Sequence, residues 1–280
     1  MSERQCNNSN CSSNDCKNCA HKNAHANKQQ QFQNNNHIRN VIGIVSGKGG
    51  VGKSTVTSLI ARKLAAKGYK VGILDGDITG PSIPKMFGLS GQLEVNESGM
   101  VPMASKEGIK VVSMNLLLEN EEDPVVFRGP ILAQAILQFY NESDWGDLDY
   151  LLIDMPPGTG DVPLTVYQAL PVSGIVIVTS PQELVKMIVM KACNMAEKMN
   201  IKVLGLVENY SYFECADCGK RYNIFGDSRI DELAEQTGTK VIAKLPIMPQ
   251  IAQNADSGNS ICEELDMDLE TITALMEVSK

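Results

Sequence analysis

The stretch that decides the fold is Ser46-Gly47-Lys48-Gly49-Gly50-Val51-Gly52-Lys53-Ser54-Thr55. It matches the phosphate-binding pattern G-x-x-x-x-G-K-[ST], which requires a strand before it and a helix after it. Both are predicted, because the apolar run Val41–Val45 precedes the stretch and Ser54–Lys67 places apolar residues at helical spacing. The sequence therefore predicts a phosphate-binding loop between a strand and a helix.

Each residue type in this loop has a physical reason to be there. Glycines allow successive backbone amides to converge on phosphate oxygens, and the helix N-terminus adds a favourable dipole. Lys53 should reach the β- and γ-phosphates, and the Ser54 hydroxyl should coordinate Mg²⁺. We therefore expect the nucleotide to be bound by Gly47, Lys48, Gly49, Gly50, Val51, Gly52, Lys53, Ser54 and Thr55.

Two acidic loops follow other predicted strands. One begins at Asp75 and includes Asp77, and the other begins at Asp154, directly after the aliphatic run Leu151–Ile153. An acidic residue after a strand is often only a solvated loop residue. Beside a phosphate loop, however, an aliphatic strand that ends in a carboxylate has the Walker B form. We therefore expect Asp154 to support the Mg²⁺ ion.

Short apolar runs alternate with helical stretches along the chain after residue 40. Such alternation predicts an α/β protein with a mostly parallel twisted sheet and helices on both faces. Together with the phosphate loop, it indicates the P-loop NTPase fold. Ligands of such sheets bind at the carboxyl ends of the strands. The predicted strands are Val41–Val45, Lys70–Leu74, Ile109–Ser113, Tyr150–Ile153, Gly174–Thr179, Val203–Val207 and Lys240–Leu245, and the predicted helices are Ser54–Lys67, Pro130–Tyr140 and Gln182–Asn200.

Composition excludes several classes of protein. The 280 residues carry a formal net charge of −8, which disfavours a broad surface for nucleic acid or anionic lipid. No apolar run approaches the roughly 18 residues that span a bilayer, and the first seven residues lack the apolar core of a signal peptide. Without an export signal, the eight cysteines indicate metal or redox chemistry rather than disulfides. We expect a cytoplasmic protein that binds neither nucleic acid nor a membrane.

The N-terminal stretch differs from the rest of the chain. Residues 1–40 contain 16 Asn or Gln and all three histidines, and they have too few apolar residues to offset their chain entropy. The sequence predicts a disordered arm over residues 1–37 and one domain over residues 38–280. Four soft ligands in the arm could hold a cluster, bind zinc or copper, or hold no metal. They are Cys6, Cys11, Cys16 and Cys19.

A second chemical signal is Cys215-Ala216-Asp217-Cys218-Gly219. Two thiolates at this spacing can chelate one metal, and the glycine allows backbone amides to turn toward sulfur. A zinc ribbon needs a second pair, whereas the domain otherwise offers only Cys193 and Cys262, which are far apart in sequence. The pattern indicates ligands shared by two chains across a two-fold axis. A redox dithiol is the alternative.

These motifs together carry a resemblance to a known family. Lys48 produces the K-G-G-x-G-K-[ST] form of the deviant Walker A ATPases, the group that includes MinD, ArsA and the nitrogenase iron protein. Within that group, the chain closely resembles the Mrp-type (ApbC/Nbp-like) iron–sulfur cluster carriers over roughly residues 38 to 262. Tyr210 stands where the family usually has Met. The supporting stretches are Leu74–Pro84, Phe127–Pro130, Trp145–Asp161 and Val207–Phe213.

The resemblance implies roles for individual residues. Lys48 would be the signature lysine that reaches the partner chain's nucleotide and neutralises transition-state charge. Asp77 would orient the attacking water, and Asp154 would support Mg²⁺. Asn209 and Pro246 would contact the adenine of ATP.

For the cysteine pair, the resemblance implies a bridging [4Fe–4S] cluster held by Cys215 and Cys218 of two chains. The chain would then be a homodimeric ATPase that takes a cluster from a donor and passes it to apo-proteins. One alternative is an ATP-dependent reductase or metal-insertion protein of the nitrogenase iron protein type. The other is a MinD-like spatial-organisation ATPase, which the acidic stretch 263–270 disfavours because anionic lipid would repel it.

Overall fold

A computed structural model describes residues 35–77, 82–118, 129–158, 160–182, 185–250 and 265–278. The arm predicted over residues 1–37 lies almost entirely outside this part of the chain and stays a prediction. Outside it also lie Cys6, Cys11, Cys16, Cys19 and Cys262.

The described residues form a nine-stranded sheet and a separate two-stranded one. In the large sheet the order is β10-β9-β8-β1-β7-β2-β6-β5, and β11 also pairs with β9. The strands are β1 (His37–Ser46), β2 (Val71–Asp75), β3 (Val95–Asn96), β4 (Gly99–Met100), β5 (Met103–Ala104), β6 (Lys110–Ser113), β7 (Asp147–Asp154), β8 (Val172–Thr179), β9 (Val203–Glu214), β10 (Arg221–Tyr222) and β11 (Val241–Pro246).

Most neighbours in the large sheet are parallel, and only the short strands β5 and β10 pair antiparallel. The central strands read as almost continuous apolar runs because both faces of a parallel sheet are covered by helices. Leu152 of β7 illustrates this, since it is fully buried and lies opposite Ile42 of β1 and Ile73 of β2.

Helices follow most of the parallel strands, and none within the described residues is long and apolar enough to cross a membrane. The strand order and the rule that such crossovers are right-handed predict α1 and α2 on one face of the sheet and α3 to α6 on the other. Contacts of α1 with α2, α3 with α4 and α5 with α6 agree with this arrangement. The helices are α1 (Lys53–Ala66), α2 (Ile83–Met86), α3 (Gly129–Glu142), α4 (Asp161–Ala169), α5 (Val185–Lys198), α6 (Ile230–Thr237), α7 (Glu270–Thr273) and α8 (Leu275–Val278).

The predicted α/β fold with a mostly parallel sheet is confirmed, and each predicted strand is present. The main error concerns β9, which was predicted to end at Val207 and continues to Glu214. Polar residues interrupt the apolar run at Glu208 and Asn209, so the pattern indicated a loop. Both side chains are nevertheless buried. Asn209 donates to the Val51 carbonyl oxygen of the phosphate loop, whereas Glu208 accepts from the Ser211 hydroxyl three residues along the same strand.

This topology places the phosphate loop and the two acidic loops at one edge of the sheet. Strands β1, β2 and β7 are parallel neighbours, and their carboxyl ends lead into the phosphate loop and the two acidic loops. Asp75 and Asp154 lie directly opposite each other in register. The next parallel neighbours on the other side of β1 are β8 and β9.

Truncation of a buried side chain in β7 should test this architecture. Leu152→Ala leaves a cavity between the layers, so the free energy of unfolding should fall by about 2–5 kcal/mol. The measurement is urea unfolding followed by circular dichroism. Leu164→Ala on α4 is the matched control, because 36% of that side chain is exposed, and its effect should stay within about 0.5 kcal/mol. Equal losses in the two variants would contradict the burial pattern.

Candidate functional site

The phosphate loop connects β1 to α1. Gly50 and Gly52 have left-handed backbones, with φ of 79° and 77°, a conformation that glycine adopts without a steric penalty. A Cβ atom added at Gly49 or Gly50 would meet nothing within 4 Å, so open space lies above the loop. Among the described residues no side chain caps α1 at Gly52. The first-turn amides are thus available to an anion such as phosphate.

Lys53, the first residue of α1, is buried at the base of the loop. Its Nζ donates to Asp154 Oδ1 at 2.7 Å and lies 3.5 Å from Asp77 Oδ2. The fold thus brings together Lys53, Asp77 and Asp154, three of the predicted site residues. A buried ammonium needs such partners, since an unpaired buried charge is strongly destabilising.

Asp154, at the end of β7, is fully buried and accepts from three side chains of α1. Besides Lys53, Ser54 Oγ donates to Oδ2 at 2.5 Å and Thr57 Oγ1 donates to Oδ1 at 2.9 Å. Hydroxyl and carboxylate oxygens are the ligands that Mg²⁺ prefers, so Ser54 and Asp154 fit the ion predicted here. Thr57 was not predicted, although its position one turn after Lys53 was a usable signal.

Asp75 is the second residue that the sequence analysis left without a role. It is buried, and its two carboxylate oxygens accept from the Ser113 hydroxyl at 3.0 Å and the Asp77 backbone amide at 3.2 Å. Burial, followed by repulsion from Asp154, raises the pKa of Asp75 to about 8. Asp75 therefore holds the backbone of Asp77, and it adds to a site that is rich in carboxyl groups and short of cations.

Lys48 lies on the exposed side of the phosphate loop. Its Nζ donates to Gln182 Oε1 of the same chain at 2.9 Å. Gln182 follows β8, so this contact links the loops after two neighbouring strands. An exposed hydrogen bond of this kind is weak, and the ammonium can leave it at little cost.

Asn209 and Pro246, the two predicted adenine contacts, lie on neighbouring strands. Asn209 is buried in β9, and its Nδ2 donates to the Val51 carbonyl oxygen of the phosphate loop at 3.0 Å. Pro246 ends β11 and lies opposite Tyr212 of β9. The contact between Asn209 and the loop was not predicted. Contact of either residue with adenine stays a prediction.

Cys215 and Cys218 occupy the tight turn between β9 and β10, and not an open loop. The Cys215 amide donates to the Lys220 carbonyl at 3.0 Å, and the Gly219 amide donates to the Cys215 carbonyl at 2.8 Å. Gly219 has φ of 67°, which explains the glycine after the second cysteine. Hydrogen bonds from the backbone amides of Cys218 and Asp217 lower the pKa of the Cys215 thiol. A thiol that is readily deprotonated is a metal ligand or a nucleophile.

Cations and aromatic rings flank this hairpin. Arg221 lies over the Tyr212 ring at 4.4 Å and pairs with Glu214 at 2.7 Å, and Lys220 lies over the Tyr222 ring at 5.2 Å. Cation–π contacts of this kind pack the side chains of Lys220 and Arg221 against the strands on either side of the cysteines. These cations were not predicted as part of the site, although the Lys-Arg pair directly after Gly219 was visible in the sequence.

The hairpin supplies two sulfur ligands and no more. Within the described ranges, no group of three or more His, Cys, Asp and Glu side chains lies close enough together to hold a metal ion. Cys218 is exposed and Cys215 is partly exposed. A tetrahedral sulfur site at this place therefore needs ligands from outside the described part of the chain.

Comparison with known families and proteins gives consistent matches. A family model described as a ParA-type NUBPL iron-transfer P-loop NTPase matches residues 37–280. The iron-sulfur cluster carrier protein of Clostridium perfringens is 49% identical over 235 residues, which cover 81% of this chain and 82% of that protein. The carrier of the same name from Saccharolobus solfataricus is 49% identical over 223 residues, which cover 79% of this chain and 75% of the relative.

Two solved structures are also similar. The nucleotide-binding protein from Archaeoglobus fulgidus, in complex with ADP and with cobalt found by PIXE, has a TM-score of 0.72 and 47% identity, and the match covers 79% of this chain and 87% of that one. The septum site-determining protein MinD from Pyrococcus horikoshii, complexed with Mg-ADP, has a TM-score of 0.55 and 20% identity over 87% of this chain and 95% of that one. The second likeness concerns the fold alone.

The raised pKa of Asp75 predicts a pH dependence of stability. The folded-state pKa of about 8 exceeds the unfolded value of about 3.9. Between these values the folded chain binds more protons than the unfolded chain, so the free energy of unfolding falls as pH rises. Asp75→Asn should flatten this decline, which one group can make as steep as about 1.4 kcal/mol per pH unit. Urea unfolding without nucleotide at pH 5.5 and pH 8 measures it.

The control for this prediction is Asp147→Asn, which makes the same chemical change where the side chain is 74% exposed. It should leave the slope of wild type unchanged. Parallel slopes for wild type and Asp75→Asn would contradict the assignment of a raised pKa to this carboxyl.

Proposed function

The chain belongs to the NUBPL iron-transfer P-loop NTPase family, and from this premise we propose that it is an ATP-hydrolysing carrier of a [4Fe–4S] cluster. In this proposal a homodimer assembles the cluster between its subunits, receives it from a donor and transfers it to apo-proteins in the cytoplasm. The phosphate-loop motif and the pair of surface thiols on this chain support the proposal.

One observation carries the proposal, namely an exposed hairpin that holds two thiols beside backbone amides which favour the thiolate. Buried cysteines of a core behave as small apolar side chains, whereas this pair lies at the surface next to two cations. Exposure suits a cargo that has to be taken up and released. Thiolate ligands suit iron–sulfur clusters.

The ligand count supports a dimer. A [4Fe–4S] cluster is held by four cysteine thiolates, and the hairpin of one chain supplies Cys215 and Cys218. A two-fold axis beside the hairpin would bring the same pair from a second chain, which completes the set. Any cluster at this place would also link the two subunits.

The nucleotide site supports ATP with Mg²⁺. When bound, the ion neutralises charge on the β- and γ-phosphates. Ser54 and Asp154 would hold it, and Lys53 would exchange its contact with the Asp154 carboxylate for the phosphates. The carboxylate of Asp77 lies beside Lys53 and would orient a water molecule toward the γ-phosphate. The backbone of Asp77 is already held by Asp75.

Lys48 would act on the partner's nucleotide. Its side chain is exposed and makes one weak contact to Gln182, so little energy holds it to its own chain. An ammonium from the second subunit would neutralise charge that develops on the phosphoryl group during hydrolysis. Hydrolysis would therefore require the dimer.

Substitution of the two lysines should separate binding from turnover. Lys53→Ala removes a charge-assisted contact to phosphate, so ATP affinity should fall by about 10- to 100-fold, equivalent to about 1.5–3 kcal/mol. Lys48→Ala should retain much of the affinity and lose about 100-fold or more in kcat, because it acts on the transition state. Isothermal titration with a non-hydrolysable ATP analogue and phosphate release measure the two effects.

Mixing two inactive variants provides the control for the role of Lys48 in the partner's site. A Lys48→Ala chain and an Asp77→Ala chain are each inactive alone in this scheme, but their heterodimer contains one complete site. Phosphate release should therefore reappear on mixing. Turnover at the wild-type rate in the Lys48→Ala protein by itself would defeat the assignment.

Loss of one hairpin thiol should abolish the bridging cluster. Cys218→Ser removes two ligands per dimer by symmetry, and a serine hydroxyl is a poor substitute for thiolate. After anaerobic reconstitution, the full chain should lose about four irons per dimer while ATP binding stays intact. Cys193→Ser on α5 is the matched control and should retain the iron. An unchanged iron count in Cys218→Ser would mean that the cluster lies elsewhere.

A further inference from the structure

Strand β9 contacts both sites of the chain. Near its middle, buried Asn209 donates from Nδ2 to the Val51 carbonyl oxygen at 3.0 Å. Its last residue, Glu214, is followed directly by Cys215. The phosphate loop and the cysteine hairpin are therefore attached to one strand, six residues apart, which corresponds to about 20 Å of extended chain.

The contact between β9 and the phosphate loop is close. A Cβ atom added to Gly52 would lie 2.1 Å from Asn209 Nδ2 and 3.2 Å from the Tyr210 hydroxyl. Asn209 therefore packs against the Val51–Gly52 peptide, immediately before Lys53. A shift of this peptide toward Asn209 when phosphate binds would displace the Asn209 side chain, because closely packed groups leave no free space to absorb the movement.

Next to Asn209, the regular pairing of β9 is interrupted. Lys244 of β11 pairs with Glu208 of β9, and the next pair is Pro246 with Tyr212. The chain thus advances two residues on β11 but four residues on β9. Within this bulge Tyr210 has φ of 60°, an unusual conformation for a residue with a side chain. Such a conformation persists only where the surroundings impose it.

Asn209 supplies that constraint. Its Oδ1 accepts from the Tyr210 backbone amide at 3.0 Å, while its Nδ2 donates to Val51. One amide group thus joins the phosphate loop to the bulge. A change in either contact alters the conditions that hold Tyr210 in its left-handed conformation.

From the bulge to the hairpin, the structure is tied at each step. The Ile247 amide donates to the Tyr212 carbonyl at 2.6 Å, and Tyr222 of β10 pairs with Phe213. The Cys215 amide then donates to the Lys220 carbonyl at 3.0 Å. A displacement that starts at the bulge would therefore reach the cysteines through a connected set of contacts and would not dissipate in a loose loop.

We propose that Asn209 is a positioning residue that couples nucleotide at the phosphate loop to metal at Cys215 and Cys218 through the bulge at Tyr210. The proposal rests on the function proposed above, since it assumes that both ligands bind where stated. Coupling between two binding sites is reciprocal. Nucleotide must therefore change the affinity for metal by the factor by which metal changes the affinity for nucleotide.

Cobalt(II) is a suitable probe, because thiolate ligation to Co²⁺ produces charge-transfer absorbance that nucleotide ligation does not. The background is the full-length chain with Cys6→Ser, Cys11→Ser, Cys16→Ser and Cys19→Ser, so that the absorbance reports the hairpin alone. Co²⁺ is titrated with and without saturating ADP in excess Mg²⁺. ADP is then titrated with and without Co²⁺. We expect each ligand to shift the affinity of the other by about fivefold or more, by equal factors.

Two variants test the role of Asn209. Asn209→Ala removes both amide contacts, so the change that each ligand makes in the affinity of the other should fall below about twofold. Co²⁺ and ADP should each still bind alone, ADP at a higher concentration than in wild type. Tyr210→Gly keeps Asn209, removes the tyrosine side chain beside Gly52 and frees the backbone of the bulge, where glycine accepts positive φ without a steric penalty. It should also reduce the shift. Asn223→Ala is the matched control, since Asn223 directly follows β10 and its side-chain amide donates to Asp227 Oδ1 at 3.0 Å.

The outcomes separate the two proposals. Thiolate absorbance that persists in Cys218→Ser would overturn the metal site of the proposed function, and the coupling with it. If Co²⁺ binds at the hairpin but ADP leaves its affinity unchanged, the coupling alone is overturned. A full shift that survives in both Asn209→Ala and Tyr210→Gly would likewise overturn the role of Asn209. Loss of the shift in these two variants but not in Asn223→Ala supports it.

Discussion

The buried ion pair between Lys53 and Asp154 is the interaction on which the rest of the site depends. Their atoms lie 2.7 Å apart at the junction of α1 and β7. Because a buried charge without a partner is strongly destabilising, the pair requires the first turn of α1 and the end of β7 to meet in one arrangement. Ser54 and Thr57 reinforce that arrangement from the same helix face. The open phosphate loop is thereby placed directly above a carboxylate.

Carboxyl groups are in excess at this edge of the sheet. Asp75 and Asp77 join Asp154 around the ammonium of Lys53. This explains why the pKa of Asp75 is raised, and it makes the site receptive to a further cation. A nucleotide with its Mg²⁺ ion would supply phosphate to Lys53 and positive charge to the carboxylates at once. Stability and ligand binding are therefore linked at the same cluster of groups.

The cysteine hairpin is a different kind of site, because it is at the surface and supplies only two ligands. In the proposed function, a second set of thiolates would come from another copy of the chain. Strand β9 gives this exposed site a connection to the buried one. Asn209 is the residue at which the two meet, and Tyr210 next to it has the unusual backbone that a continuous regular strand would not need.

The phosphate loop, the alternation of strands and helices and the cysteine pair could all be predicted from the sequence, because each depends on spacing between near neighbours in the chain. The end of β9 could not, since Glu208 and Asn209 are polar and the burial of Asn209 depends on a partner in the phosphate loop. Asn209 and Val51 are 158 positions apart, and Asp75 meets Asp154 only through the pairing of β2 with β7. Contacts of this kind are set by strand order, which brings distant groups within hydrogen-bonding distance and leaves no local pattern in the sequence. The sequence alone thus determined which chemical groups the protein has, whereas the tertiary structure decided which of them are buried together and how the two sites are joined.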